Sequence, residues 1–393
     1  MRDTLVINCG SSSLKFALIR SATQETLASG LAEKLFEPEP VLTVKHAGAK
    51  ETVKLSGQGH SIAMQGILDA LNTRGLLSEV ANVGHRVVHG GEFFKSATVI
   101  NEKVLEAIEQ CIPLAPLHNP ANLLGIQSAM EAFPDLPHVA VFDTAFHQTM
   151  PEHAYRYAVP SSLYREHGVR RYGFHGTSHQ YVTGRAAELL GKPLADTCLI
   201  SAHLGNGCSI TAVKGGKSVD TSMGMTPLEG LVMGTRSGDI DPNLHQFMAQ
   251  ALNLNVDQVT DLLNKKSGLL GLSERSNDMR ELEEARQAGH AGATLAIEVF
   301  CYRLARYVAA MAVPLGRIDA LIFTGGIGEN SRFVRENTLR HLGIFGFELD
   351  AERNQSMVGG PSGQITTDRG PVALVVGTNE ELMIALQTEK VLS

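Results

Sequence analysis

The chain has 393 residues, 43% of them hydrophobic and 19% charged, with 39 glycines and a formal net charge of -7. That length exceeds what one core usually serves, so it predicts two domains of a globular α/β protein and excludes a disordered or fibrous chain. Mild acidity without a long Lys/Arg run excludes nucleic acid or an anionic membrane as main partner, while leaving room for a local phosphate site.

The first element is LVINCGSSSLKFAL. Leu5, Val6 and Ile7 predict a strand, 10–13 a tight turn and 14–19 a returning strand in which Lys15 is expected to be buried. The hairpin tip offers backbone N–H groups, three hydroxyls and one ammonium, an inventory suited to an anion, phosphate foremost. The apolar run before Cys9 is too short for an export signal. Strand-like pieces around 27–31, 41–44 and 52–55 extend the hairpin antiparallel. A helix follows, with Ser61 as its N-cap and Gly75 as its stop. VANVGHRVVHGGEFF predicts a strand running into a loop that carries His85, Arg86 and His89. Asn119 as cap, Pro120 at the first helical position and Pro134 after the end frame the next helix. HVAVFDTAFHQTMP predicts a buried strand that delivers Asp143 at its carboxyl end, where open α/β sheets place their ligand groups.

In RRYGFHGTSHQYV, Gly173 and Gly176 predict a turn at His175, with Thr177 or Ser178 capping a helix from about His179. The two rings then need not converge, and His175 suits a donor to phosphoryl oxygens better than a metal ligand. CLISAHLGNGCSITAV echoes the opening hairpin half a chain later, with Asn206-Gly207 as the turn and His203, Asn206 and Ser209 as polar groups at the tip. The echo predicts a duplicated domain whose two tips point into a shared cleft. MGTRSGDIDP places Arg236, like Arg86, in an exposed glycine loop, where a planar guanidinium suits carboxylate or phosphoryl oxygens. For any one arginine a structural salt bridge is the commoner use. LAIEVFCYRLARYVAAMAV is cut by Glu298, Arg303 and Arg306, so it predicts a helix of the core or of a subunit interface and no membrane span. In ALIFTGGIGENSRFVREN a strand passes through Gly325, Gly326 and Gly328 into a helix near Ser331, a nucleotide-binding arrangement. GGKS at 215–218 is no phosphate loop, because Thr211 stands where the earlier glycine is required. Asn8, Asp143 and Glu380 are oxygen ligands for Mg²⁺, too sparse and hard for zinc. Five scattered cysteines without a C-x-x-C pair predict free thiols in a reducing cytoplasm.

The motifs VINCGSSSLKF, GHRVVHGGE, APLHNPA, VFDTAFHQTMP, RRYGFHGTSH, HLGNG, DTSMGMTPLEGLVMGTRSGDIDP, FTGGIGEN and TNEEL follow one another in this order. Through them the chain resembles the acetate and propionate kinase family over essentially its full length. The resemblance implies the actin-like α/β fold of sugar kinases and Hsp70 ATPases, two duplicated ribonuclease H-like domains around a central cleft. It divides the chain into an N-terminal domain of 1–147 plus 381–393 and a nucleotide-binding domain of 148–380, in a cytoplasmic homodimer. It also implies reversible, Mg²⁺-dependent transfer of the ATP γ-phosphoryl group to acetate by direct in-line displacement, giving acetyl phosphate and ADP, with Mn²⁺ able to substitute. A propionate or other short-chain acyl kinase is the alternative. An actin-like chaperone ATPase would have no use for a carboxylate-binding arginine beside an apolar pocket.

Carried over by position, the resemblance makes Asn8 and Glu380 the metal ligands. It assigns the nucleotide to Lys15, to His203, Leu204, Gly205, Asn206 and Gly207, to Asp278, Met279 and Arg280, and to Gly326, Ile327, Gly328, Glu329 and Asn330. Arg86 would hold the acetate carboxylate, and Arg236 and His175 would stabilise the transition state. Asp143 corresponds to the family's acid/base, but an ionised carboxylate needs no general base. Asp143 is therefore expected to orient metal-bound water or an arginine. Val88, Leu117, Phe174 and Pro227 would form the methyl pocket. Propionate-preferring relatives tend to carry alanine at position 88, so Val88 favours acetate, one methylene being worth about 1–3 kcal/mol. Two departures stand out: Gly377 replaces the usual proline before TNEEL, and Cys208 follows HLGNG where glycine is frequent.

Overall fold

A computed structural model describes residues 3–393. The chain forms two compact units, the first running to Gln148 and taking in Asn379–Ser393, the second spanning Thr149–Thr378.

In the first unit, β1 (Asp3–Cys9) and β2 (Leu14–Arg20) pair antiparallel. Their tip is closed by the Gly10 N–H donating to the Ser13 carbonyl at 2.8 Å. With β3 (Glu25–Glu33), β4 (Val41–His46), β5 (Ala49–Lys54), β6 (Val80–Val87), β7 (Thr98–Val99) and β8 (His138–Phe142), they form one sheet in the order β5-β4-β3-β2-β1-β6-β8-β7. Strands β1, β6 and β8 run parallel, so their carboxyl ends lie along one edge. Successive side chains on a strand face opposite ways. Leu5 and Ile7 therefore join Phe16 and Leu18 in a core with Ile67 and Leu71 of α1 (His60–Thr73) and Ala129 of α2 (Asn119–Ala132). On the other face the C-terminal helix, Glu380–Leu392, lies so close to β6 that a Cβ on Gly84 would meet Thr388 Oγ1 at 2.5 Å.

Several local expectations are corrected. Lys15 is exposed rather than buried, because it lies on the outward face of β2, and it pairs with Glu381. Helix α1 is capped by Gly59, whose φ of 97° suits glycine alone, and Ser61 lies inside the first turn. Helix α2 is capped by His118. The Asn119 amide turns inward instead, donating to the carbonyls of His89 and Ile108 at 2.9 and 3.2 Å. His85 and Arg86 lie on β6 itself, and only His89 is in the loop beyond it.

The second unit begins its sheet with the hairpin of β9 (Cys198–Leu204) and β10 (Cys208–Lys214). Strands β11 (Lys217–Thr221), β12 (Ala320–Thr324), β13 (Gly363–Gln364) and β14 (Val372–Val375) complete the order β11-β10-β9-β12-β14-β13. The series β11-β10-β9-β12-β14 repeats β3-β2-β1-β6-β8 strand for strand, two antiparallel pairings followed by two parallel ones. The duplication expected from the echoed hairpins is thus present, in the actin-like α/β architecture that the resemblance implies.

Helix α3 (Gly176–Leu189) starts three residues earlier than expected, with His175 as its N-cap in the left-handed region at φ 54°. Helix α4 (Met279–Gln287) is capped by Asp278. Helix α5 (Ala291–Leu315) buries Ile297, Phe300, Leu304 and Val308. The glycine segment after β12 is not a loop. It is a short helix, α6 (Gly325–Asn330), and Ser331 caps the next one, α7 (Arg332–His341). The chain enters α6 through Gly325 at φ 76°, where a Cβ would stand 2.7 Å from the Leu204 carbonyl oxygen.

All five cysteines are buried and free, and burial pushes the Cys9, Cys208 and Cys301 thiols up to about 12. Among the described residues no helix is long and apolar enough to cross a membrane.

The fit of the C-terminal helix on β6 is testable with two glycines of opposite surroundings. Gly84→Val should lower stability by about 1–3 kcal/mol through overpacking against Thr388 and Ile384. Gly184→Ala, inside α3 with nothing near its missing Cβ, should raise stability by roughly 0.5–1 kcal/mol. Urea-unfolding midpoints moving in these opposite directions are the expected result.

Candidate functional site

In the first unit the site grows from strand register. Ile7 pairs with His85, and Arg86 pairs with Val141, so Asn8, Arg86 and Asp143 emerge at the carboxyl ends of three adjacent parallel strands. The Arg86 Nε and Nη2 groups donate to Asp143 Oδ1 and Oδ2 at 3.1 and 2.5 Å. Nη1 donates to Asn8 Oδ1 at 3.2 Å. Two of the five guanidinium N–H groups remain for another acceptor. Asp143 is 2% exposed, and burial raises its carboxyl above the usual aspartate range while Arg86 pulls it back. Held by two donors, it is the anion of the pair. These bonds hold Arg86 in one orientation, which is one of the two roles expected for Asp143.

Glu380 opens the C-terminal helix, which Asn379 caps by accepting from the Leu382 N–H at 3.0 Å. Burial raises its carboxyl too, and Arg86 counters the effect. Of the apolar residues in this unit, Val88 is buried and its N–H donates to Asn122 Oδ1 at 2.9 Å. Leu117 is 67% exposed.

In the second unit, alternation on β9 and β10 puts Ser201, His203 and Ser209 on one face, towards α3. His175 Nδ1 and His179 Nε2 lie 2.9 and 2.8 Å from the same atom, Ser209 Oγ. The two rings, which need not have converged, do so on a hydroxyl. His203 stacks on His175 with centroids 4.3 Å apart, and its Nδ1 is 2.8 Å from Ser178 Oγ. Arg236 does lie in a loop. Its Nη1 donates to the Pro227 carbonyl at 3.1 Å, and burial lowers its pKa from the usual arginine value. Arg236 Nη1 and His175 Nε2 come within 3.4 and 3.5 Å of the point where Gly207 would carry a Cβ, so both face that glycine. Phe174 is buried beside them in sequence.

A pocket of 690 Å³ in this unit is lined by Gly205, Asn206, Asp278, Met279, Arg280, Gly326, Ile327 and Asn330. Asn277, Glu283, Ser331 and Val358 also line it; of these the sequence pointed only to Ser331, as a helix start. Asn277 donates to Asn206 Oδ1 at 3.0 Å, joining two of the segments. Glu329 turns away, its Oε1 accepting from the Gly325 and Thr378 N–H groups at 3.0 and 3.1 Å. His203, Leu204, Gly207 and Gly328 are neighbours of the pocket in sequence and do not line it.

The model of the acetokinase family matches residues 3–386. The chain belongs to the acetokinase family. It is 60% identical to the acetate kinase of Deinococcus radiodurans over 385 residues, covering 98% of this chain and 97% of that one. It is 59% identical to the acetate kinase of Ectopseudomonas mendocina, with 98% of each covered. Among solved structures, the acetate kinase of Porphyromonas gingivalis superposes with a TM-score of 0.95 at 45% identity over 100% of both chains. A propionate kinase from Francisella tularensis superposes at 0.94 with 46% identity, over 98% of this chain and 99% of that one.

Within this acetokinase-family chain both sequence departures can be located. The Gly377 N–H, which proline would lack, donates to Ser362 Oγ at 3.2 Å. The Cys208 thiol is buried and donates to the Gly205 carbonyl at 3.2 Å, so it tightens the turn and is no free nucleophile.

Removing one partner of the Arg86–Asp143 pair leaves a buried charge unanswered. Asp143→Ala should therefore cost about 3–5 kcal/mol of stability, read from urea unfolding of the purified protein. A loss below about 1 kcal/mol would show that water answers Arg86 instead.

Proposed function

We propose that the chain catalyses reversible transfer of the γ-phosphoryl group of ATP to the carboxylate of acetate, giving acetyl phosphate and ADP. The observation that carries this reading is Arg86, a guanidinium fixed at a sheet edge by Asp143 and Asn8 with N–H groups to spare for one more carboxylate. Near 60% identity to two acetate kinases supports it.

In this reading Arg86 holds the acetate carboxylate and Val88, Leu117, Phe174 and Pro227 border its methyl group. The 690 Å³ pocket takes the nucleotide, with Gly205, Asn206, the 278–280 segment and α6 around it. His175 and Arg236 neutralise charge on the phosphoryl oxygens as it passes between acceptor and leaving group. Lys15 serves the nucleotide phosphates. No base is needed, since the attacking carboxylate is ionised at neutral pH. Asp143 keeps Arg86 oriented, so catalysis comes from positioning and charge neutralisation.

The residues present fit Mg²⁺: Asn8 Oδ1 and the buried Glu380 carboxylate are hard oxygen donors and would hold it. When bound, the ion supplies charge neutralisation to the nucleotide phosphates, as Mn²⁺ would. The two compact units are proposed as the substrate-side and nucleotide-side domains. A homodimer is supported by Leu295, Tyr302 and Val313, which stand 50%, 55% and 81% exposed on α5. A cytoplasmic location is supported by the five free thiols.

Propionate is the second reading, favoured by the likeness to the Francisella propionate kinase. A hydroxamate assay with ATP, Mg²⁺ and each acid decides between them. Acetate should be preferred by roughly 10-fold or more in kcat/KM, the effect of about one methylene against Val88. No acyl phosphate from either acid would defeat both. Asp143→Asn should lower kcat and raise the acetate KM together, since the amide keeps the shape and loses the charge that fixes Arg86. Full activity with an unchanged acetate KM would remove Asp143 from the mechanism.

A further inference from the structure

The four side chains Ser201, His179, Ser209 and His175 form one unbroken hydrogen-bond chain. Ser201 Oγ lies 2.9 Å from His179 Nδ1, His179 Nε2 lies 2.8 Å from Ser209 Oγ, and Ser209 Oγ lies 2.9 Å from His175 Nδ1. Ser201, His179 and Ser209 are all fully buried. A serine hydroxyl has one hydrogen to give, and a neutral imidazole has one N–H. The order of protons along the chain is therefore all-or-none, running one way or the other.

Ser201 decides which way. Its hydroxyl has no other hydrogen-bond partner among the described residues, so its single hydrogen is satisfied only by donating to His179 Nδ1. The reverse order would leave a buried O–H without an acceptor, which is unfavourable because that hydroxyl has given up its water. A cationic His179 would escape the choice, but a charge at that depth is far costlier. With Nδ1 accepting, the His179 proton sits on Nε2 and is donated to Ser209. Ser209 then gives its own hydrogen to His175 Nδ1.

We infer that Ser201, through His179 and Ser209, fixes His175 as the tautomer protonated at Nε2, the nitrogen that faces Gly207 beside Arg236. Ser201, Ser209 and His179 are thereby positioning residues for His175. A hydrogen bond on one ring nitrogen deciding the role of the other is the general logic of imidazole sites. Its use in catalysis rests on the phosphoryl-transfer role proposed for His175: only the Nε2–H form donates to a phosphoryl oxygen without taking up a proton. The titratable groups facing His175 are His179 of α3, His203 of β9 and Arg236 of the loop.

Long-range ¹H–¹⁵N correlation spectra of the full-length protein, ¹⁵N-labelled at histidine, read the tautomer directly. His175 should be protonated at Nε2 in the wild type at neutral pH, and both tautomers should appear in Ser201→Ala. Ser201→Thr, which keeps the hydroxyl, should restore the single form. In acyl phosphate formation Ser201→Ala should lower kcat about 10-fold with both KM values within about twofold, and Ser201→Thr should recover it. Wild-type His175 protonated at Nδ1 overturns the inference, as does an unchanged His175 spectrum in Ser201→Ala. If Ser201→Ala fails to fold, the wild-type spectrum and that of Ser209→Ala decide. Absence of any acyl phosphate would sink the proposed function alone, because the tautomer is measured without turnover.

Discussion

Arg86 carries its charge at the end of a strand that is otherwise packed between two neighbours, where an ion without a counter-ion costs several kcal/mol. The answer comes from the next parallel strand. Asp143 follows directly on β8, and its backbone N–H continues the ladder by donating to the Val87 carbonyl at 3.0 Å. Asn8 supplies a third contact from β1. Parallel strands are what make this possible, because only they bring three carboxyl ends to one edge with matched faces. The close seat of the C-terminal helix on Gly84 then places Glu380 over the same edge.

The duplicated strand order is put to two chemical uses. In the first unit the edge of the repeated sheet carries ions: Arg86, Asp143, and the Lys15–Glu381 pair beside the hairpin. In the second, the equivalent strands and the start of α3 carry three histidines and three serines linked by hydroxyls. An ion pair resists movement of charge, whereas a row of hydroxyls and imidazoles passes on the placement of a proton. One scaffold thus offers a fixed electrostatic clamp and a proton-ordered donor.

Much of this was legible from residue patterns. Apolar alternation and the turn at Asn206-Gly207 located both hairpins, and the short buried run before Asp143 located its strand. Arg86 was misplaced into a loop because the glycines after it outweighed the alternation that continues through Val87. Gly325 to Asn330 read as a loop because glycine propensity is a weak prior that packing overrides, here against the Leu204 carbonyl. The start of α3 was missed because a left-handed histidine cap has no sequence signature. Ser201 carried no local signal whatever. Its meaning depends on register with Thr211 and on what α3 lays over it, which are long-range facts.

The membership of Asn379–Ser393 in the first unit has a consequence for synthesis on the ribosome. The face of β1, β6 and β8 that the Glu380–Leu392 helix covers is made before the second unit, yet its cover is made after it. Between the two lies the whole of Thr149–Thr378, a delay on the order of ten seconds or more at about 5–20 residues per second. Throughout that interval the nascent first unit shows an uncovered sheet face, with Arg86 and Asp143 at its rim and Glu380 not yet translated. The second unit, contiguous in the chain, can close first, so the later-coded half is expected to serve as the finished neighbour while the earlier half waits.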